Sequence, residues 1–369
     1  SALKLMPKNN PERKALEERL AASIYKQGEQ LKQQGKLAEA ASVFATVAMI
    51  APTSSIAVSA QFDTAALLLT QKDWSGAIKV LEQFVKDNPN NELAEQATNN
   101  LAVAYRESGD KVRAADYIQK VAVGKKDPKF TMDATWEAAG LYEQAEAYPT
   151  AIETYKRFAQ TYATSDYDRA IEARQKVIDL YAKTKDLGSR RQWQGELVKA
   201  VTPSSAGATD RARFLAGKAA LELAAPSLDS FRAVQLRQPL KETVPRKKQA
   251  LEKAEALLNL AAEYRVAEIT TAATYQTGQL YKELSTELLK SERPAGMSPE
   301  ALEQYELVLE EQADPIQQKA IDIHEANAAR VKSGVYDEWV RKSFAELATL
   351  MPARYGKTEK YEPIAHELN

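Results

Sequence analysis

The chain lacks cysteine altogether and contains only two histidines, His324 and His366. The missing cysteine excludes disulfide scaffolds, thiolate metal sites and thiol catalysis, and two histidines leave little for histidine-based catalysis or metal binding. Glycine is scarce, at 14 of 369 residues, while alanine is abundant, and this balance favours helices over sheets. We therefore predict an all-α protein that uses no cofactor and no metal.

The chain also lacks an excess of either charge. Its 50 basic and 51 acidic residues give a formal net charge of −1, which removes the simplest electrostatic basis for binding nucleic acid or an anionic membrane surface. Two basic clusters, at 125–129 and 246–248, are predicted to be solvated faces. No apolar run approaches the roughly 20 residues that a membrane span needs, so no transmembrane segment is predicted.

A repeat with an offset of 37 residues is the main pattern that the sequence does contain. Small residues recur at Ala40, Ala77, Ala114 and Ala151, and again at Gly28, Ala65, Ala102 and Ala139. Bulky residues recur in step at Leu31, Leu68, Tyr105 and Tyr142. These spacings fit two antiparallel helices per unit, since helical neighbours lie three and four residues apart. Turns are predicted at 35–36, 72–73, 109–110 and 146–147.

This order of small and bulky residues, with unit ends marked by Pro52, Pro89 and Pro128, resembles the tetratricopeptide repeat. The resemblance covers residues 21 to about 167, and it departs from the family in period, which is about 34 in the ordinary repeat. Similar lengthening occurs in envelope tetratricopeptide proteins of Gram-negative bacteria. The resemblance implies a right-handed α–α superhelix, a solenoid of stacked antiparallel helix pairs.

A run of turn-forming residues at 202–207 gives the candidate domain boundary. It separates an N-terminal solenoid, residues 1–202, from a C-terminal helical-repeat extension, residues 203–369. The solenoid comprises units near 21–57, 58–94, 95–131 and 132–168, and a degenerate fifth pair at 169–202. Its first helix is expected to begin at Asn10-Pro11.

Prolines set the helix ends that we predict in the extension. Pro226 should end a short helix that begins at Asp210. Ser298-Pro299 and Asp314-Pro315 should each begin a new helix, as a cap followed by a first-turn proline. The segment 305–357 is similar to the C-terminal part of bacterial tetratricopeptide proteins associated with TonB/Tol-type systems.

The resemblance implies that a partner binds in a groove lined by the first helix of each pair. The candidate residues are Tyr25, Glu29, Lys32, Phe62, Gln96, Asn99, Arg106, Asp133, Trp136 and Glu143. Asn99 could hold a peptide backbone, Phe62 and Trp136 could be aromatic anchors, and Arg106 could pair with a carboxylate. Equally, the two aromatic residues could pack in the core, and Asn99 could be an ordinary surface residue.

The remaining motifs do not indicate catalysis. His324-Glu325 lacks a second histidine at 328, so the zinc-protease helix motif fails, and His324 is predicted to lie on a helix surface or at an interface. Gly356-Lys357-Thr358 lacks the glycine at 351 that a phosphate loop needs.

Three functions stay open. The first is a non-enzymatic scaffold, periplasmic or outer-membrane-associated, with a protein or peptide partner and a TonB/Tol-type complex as the implied context. The second is a cytoplasmic adaptor of the same fold. The third is a carboxylate-dependent enzyme acting on cell-wall glycans.

Overall fold

A computed structural model describes residues 12–125 and 127–357. All the regular secondary structure in these ranges is helical, so the predicted all-α fold is confirmed. One prediction, the helix start at Asn10-Pro11, lies outside the described residues. Within the described ranges, every helix is too short or too polar to pass through a lipid bilayer.

The chain forms two compact units, Ser1–Asp166 and Tyr167–Asn369. We call them the N-terminal unit and the C-terminal unit. The predicted degenerate fifth pair, 169–202, thus lies in the second unit. The predicted domain boundary at 202/203 stays a prediction.

The N-terminal unit consists of helices that pack consecutively in pairs. Their bounds are α1 (Glu12–Gln33), α2 (Leu37–Ile50), α3 (Ser55–Thr70), α4 (Trp74–Asp87), α5 (Ala94–Glu107), α6 (Lys111–Gly124), α7 (Pro128–Gln144) and α8 (Tyr148–Thr161). The odd-numbered helix of each pair is its first helix and the even-numbered one its second. These pairs confirm the tetratricopeptide-type architecture.

The same turn joins the two helices in every pair. Gly35, Lys72, Gly109 and Glu146 all have positive φ, between 58° and 89°, and they are 37 residues apart. The next residue is the N-cap of the second helix, and where it is Asp73 or Asp110 its carboxylate accepts a hydrogen bond from a backbone N–H three residues later. The four predicted turns are therefore confirmed, including the two that lack glycine.

The repeated small residues lie where the two helices of a pair touch. Ala40, Ala77, Ala114 and Ala151 are fully buried. Gly28 is buried against Phe44, and a β-carbon there would lie 2.6 Å from the ring. Close packing at these positions is what the repeat encodes, because a larger side chain would separate the helices.

Tyrosine hydroxyls connect successive pairs. Tyr105 Oη donates to Glu82 Oε1 at 2.5 Å, and Tyr142 Oη donates to Asp116 Oδ1 at 2.5 Å. Burial and the neighbouring carboxylate raise the pKa of both hydroxyls above the usual value for tyrosine. The first helices α5 and α7 are therefore each tied to the second helix of the pair before them.

The C-terminal unit continues with longer helices. They are α9 (Tyr167–Lys183), α10 (Leu187–Ala200), α11 (Asp210–Ala233), α12 (Leu240–Glu263), α13 (Ala267–Leu289), α14 (Pro299–Ala328), α15 (Glu338–Leu350) and α16 (Pro352–Tyr355), with a 3₁₀ turn at Ala329–Ser333. Ser298 caps α14 by accepting from the N–H of Ala301 at 3.2 Å, so the predicted start at Ser298-Pro299 is confirmed.

Two predictions from proline are wrong: the helix end at Pro226 and the helix start at Asp314-Pro315. Helix α11 continues through Pro226 to Ala233, and α14 continues through Pro315 to Ala328. An internal proline costs about 3 kcal/mol, because it removes a hydrogen bond and crowds the preceding turn. Burial of apolar residues beyond each proline, Phe231 in α11 and Ile321 in α14, offsets this cost.

The basic cluster at 246–248 is not wholly solvated. Arg246 and Lys248 are exposed, as predicted, but Lys247 is fully buried. Its ammonium lies 2.9 Å from Glu287 Oε2 and 4.1 Å from the centre of the Phe231 ring. The prediction of a solvated face is therefore wrong for Lys247, because a carboxylate and an aromatic face replace its water.

The prediction of a surface or interface histidine at 324 is also wrong. His324 is fully buried between α13, α14 and α15, where Gly278 makes room for its ring. Its Nδ1 lies 3.3 Å from Ser343 Oγ, and Asn327 Nδ2 donates to that same hydroxyl at 2.9 Å. Burial lowers the pKa of His324 to about 4, so the ring is neutral near pH 7.

Candidate functional site

Nine of the ten predicted partner-binding residues fall into three rows along the first helices, and Glu29 is the tenth. One row is Tyr25, Phe62, Asn99 and Trp136, and another is Lys32, Arg106 and Glu143. Gln96 shares a repeat position with Asp133, and Glu29 lies between the rows. These positions are spaced by three and four residues on each helix, so they share one side of it. We call this surface the first-helix face.

Two aromatic residues of the first row are half-buried by packing. The Phe62 ring lies 5.7 Å from the Phe84 ring in an edge-on contact. Trp136 meets the rings of Tyr155 and Phe158 at 5.5 and 5.0 Å. Each ring is thus held by the second helix of its own pair, and part of it stays open to solvent. Such a ring is a rigid anchor, since little side-chain entropy is left to lose on binding.

Tyr25 is held in the same way but carries a polar contact as well. Its ring lies 4.9 Å from Phe44, and its hydroxyl donates to Asp63 on the next first helix. Burial, followed by this carboxylate, raises the pKa of Tyr25 well above the usual value for tyrosine. Beside it, Glu29 and residues of α1 and α3 line a shallow depression of about 450 Å³.

Asn99 occupies the aromatic position in the third pair. It is half-buried, whereas Gln96, one turn earlier, is exposed. In the part of the chain that the structure describes, neither amide has a hydrogen-bond partner on another residue. A side-chain amide offers both donors and an acceptor. These two amides could therefore hydrogen-bond the backbone of a bound peptide.

Arg106 lies two turns beyond Asn99 on the same helix. Its guanidinium is 3.3 Å from Glu137 Oε1 on α7 and 3.7 Å from Glu107. All three side chains are about half exposed, and exposed pairs of this kind contribute only about 0.2–1 kcal/mol. A carboxylate on a partner could therefore displace Glu137 at little cost.

The remaining predicted residues differ in exposure. Glu29, Lys32 and Asp133 are exposed. Glu143 is half-buried and accepts a hydrogen bond from Tyr155 Oη at 2.9 Å, so it positions that ring beside Trp136. The structure thus brings Glu143 and Trp136 together through Tyr155.

Sequence reasoning missed Asp63 and Glu137, which bind two of the predicted residues. Both follow directly after the aromatic row and share a repeat position, 74 residues apart. That shared register is the signal that could have found them. Among the described residues there is also no group of three or more potential ligands that could hold a metal ion.

Comparison with known proteins gives one family match. A family model described as "Outer membrane lipoprotein", YfiO, matches residues 17–187, just under half of the chain, and this range includes the four 37-residue units. No curated protein matches the sequence significantly. The helix pairs and repeated turns give the N-terminal unit a tetratricopeptide-repeat architecture.

Solved structures of similar proteins carry such repeats too. A tetratricopeptide repeat protein from Parabacteroides merdae is 12% identical, with 78% of this chain and 98% of that one covered at a TM-score of 0.31. The TPR2AB domain of yeast Sti1, in a complex with pHSP90, is 15% identical, with 82% and 98% covered at a TM-score of 0.32. These TM-scores are low, and the fold assignment rests on the helix pairs of this chain.

Proposed function

We propose that this protein is a non-enzymatic scaffold that holds a protein or peptide partner on the first-helix face of its N-terminal unit. The observation that carries the proposal is the presence of anchored rings on both sides of the unpartnered amides of α5 along this face. Trp136 and Phe62 are fixed by packing, and Asn99 between them has an unused amide. A rigid surface of this kind lowers the entropy cost of binding an extended segment.

We further propose that the protein works in the bacterial envelope, in the periplasm or at the outer membrane. The match of residues 17–187 to an outer-membrane lipoprotein family supports this location, and a TonB/Tol-type complex is the context implied by resemblance. The alternative is a cytoplasmic adaptor with the same face. Fractionation of source cells, with detection of the endogenous protein, separates the two: the membrane or periplasmic fraction is expected, and recovery in the cytoplasm favours the adaptor.

Site-specific photo-crosslinking tests the binding face. A benzoylphenylalanine at position 99 should capture a partner in the source cells, whereas the same residue at 83, on the exposed side of α4, should not. With the crosslinker kept at position 99, the partner band should then disappear in a variant that also carries Gln96→Ala, Arg106→Ala and Asp133→Ala.

The matched control carries Lys79→Ala, Gln83→Ala and Lys86→Ala, three exposed changes on one second helix. It should keep the partner. Equal capture from positions 99 and 83, or equal loss in both triple variants, would show that the first-helix face is not the binding site.

A further inference from the structure

A cavity of about 270 Å³ lies among three helices of the N-terminal unit. Its walls include Ala122 and Val123 from α6, Thr131 and Thr135 from α7, and Arg157 and Tyr162 at the end of α8. None of the ten predicted partner-binding residues lines it. We call it the α6–α8 cavity.

The walls of this cavity are mostly apolar. Thr131 donates to the carbonyl of Asp127 at 3.0 Å, and Thr135 donates to that of Thr131 at 2.7 Å. Their hydroxyl protons are therefore used within the protein. Val123, in the last turn of α6, is 87% exposed, whereas its neighbour Ala122 is buried. An apolar side chain entering here would cover Val123 and gain the free energy of removing apolar surface from water.

Arg157 supplies a positive charge at the same place. Its guanidinium donates to Gln119 Oε1, and Gln119 in turn donates to Tyr142 Oη at 3.0 Å. In the described part of the chain, no carboxylate pairs with Arg157, so four of its five donors stay available. The rim is therefore complementary to a carboxylate.

The equivalent place in the first pair is different. Met49 holds the repeat position of Val123 and is 72% exposed, but Gln83 stands where Arg157 stands in the later pair. The first pair therefore offers exposed apolar surface without the cation. It provides an internal control within the same fold.

We propose that the α6–α8 cavity is a second docking site, which takes an acidic segment of a partner protein with one aliphatic or aromatic side chain. The apolar side chain fills the space beside Val123, and a neighbouring carboxylate pairs with Arg157. Hydrogen bonds between a guanidinium and a carboxylate are shorter and stronger than those between neutral groups. The proposal does not depend on the first-helix face.

The experiment is fluorescence anisotropy with the full chain and a labelled peptide that has one phenylalanine between glutamates. Wild type should bind it, and Val123→Glu and Arg157→Gln should each weaken binding about tenfold, because each removes one of the two interactions. Met49→Glu should leave binding unchanged, as should the combination Asn99→Ala with Arg106→Ala. Circular dichroism checks that every variant is folded.

Three outcomes would overturn the proposal. One is equal weakening by Met49→Glu and Val123→Glu, which would show a general effect of charge. Another is equal binding of a peptide with lysines in place of the glutamates. The third is self-association of wild type that Val123→Glu abolishes while peptide binding stays unchanged, which would make a second copy of this chain the occupant.

Discussion

Gly28 lies so close to the ring of Phe44 that a β-carbon at position 28 would be 2.6 Å from Cε1 of that ring. The equivalent position in the other pairs is Ala65, Ala102 or Ala139, opposite Leu81, Ile118 or Tyr155. The first pair therefore combines the smallest residue with an aromatic partner. This fit determines how closely α1 and α2 approach.

We expect Gly28→Ala to destabilise the protein by about 1–3 kcal/mol, although alanine is the better helix former, because the ring of Phe44 must move. Urea unfolding followed by circular dichroism measures this change. Gly195→Ala in α10 is the control, since a β-carbon there meets nothing within 4 Å. It should stabilise by up to about 1 kcal/mol. Equal effects of the two substitutions would refute the packing argument.

The repeated turn gives a second prediction. Gly109 has φ of +89°, a conformation that costs an L-residue about 1–2 kcal/mol. Gly109→Ala should therefore lower the free energy of unfolding by about 1 kcal/mol. Lys72 has φ of +59°, so Lys72→Gly relieves the same strain. Because glycine also makes the unfolded chain more flexible, we expect the free energy of unfolding to rise by only a few tenths of a kcal/mol, on the order of 0.3 kcal/mol. Thermal unfolding that shows Gly109→Ala to be neutral would contradict this account of the turn.

His324 should make stability depend on pH. Its pKa in the folded protein is about 4, because burial penalises the charged ring, and its pKa in the unfolded chain is about 6.5. Between these two pH values the unfolded state binds a proton that the folded state does not. The free energy of unfolding is therefore unaffected by His324 above about pH 6.5 and falls as the pH drops towards 4. The loss is on the order of 3 kcal/mol. Denaturant unfolding between pH 4 and 7 measures it, with NMR titration of the ring as a direct check.

The comparison with His324→Gln isolates this contribution from that of the carboxylates. The variant should show a flatter pH profile than wild type in this window. If instead the ring titrates near pH 6.5 in the folded protein, His324 is more accessible to water than the structure indicates.

Lys247 gives a fourth prediction. Lys247→Met keeps the apolar stem beneath Phe231 and leaves Glu287, which is 37% exposed, able to reach water. We expect it to cost less than about 1.5 kcal/mol, whereas Lys247→Ala should cost roughly 2–4 kcal/mol because a cavity is added. Lys248→Ala, at an exposed neighbour, should stay within about 0.5 kcal/mol. Calorimetry or urea unfolding of the three variants distinguishes them, and equal costs for methionine and alanine would show that the lost ion pair dominates over the packing, because both variants remove it.

The sequence by itself determined the paired helices of the N-terminal unit. Its 37-residue spacing of small and bulky residues predicts the helix pairs, their turns and the burial of Ala40 and its equivalents, because helical periodicity and close packing are local constraints. The positions of Tyr25, Phe62, Asn99 and Trp136 in one row follow from the same period.

Only the tertiary structure decided the features that local sequence patterns predict wrongly. Pro226 and Pro315 lie within continuous helices, because packing on both sides outweighs the local cost of proline. Lys247 and His324 are buried. Glu287 and Phe231, on other helices, contact the ammonium of Lys247. Gly278 leaves space for the ring of His324, and Ser343 lies within hydrogen-bonding distance of it. No local pattern encodes partners that are tens of residues away in the chain, and the α6–α8 cavity, lined from three helices, depends on such partners in the same way.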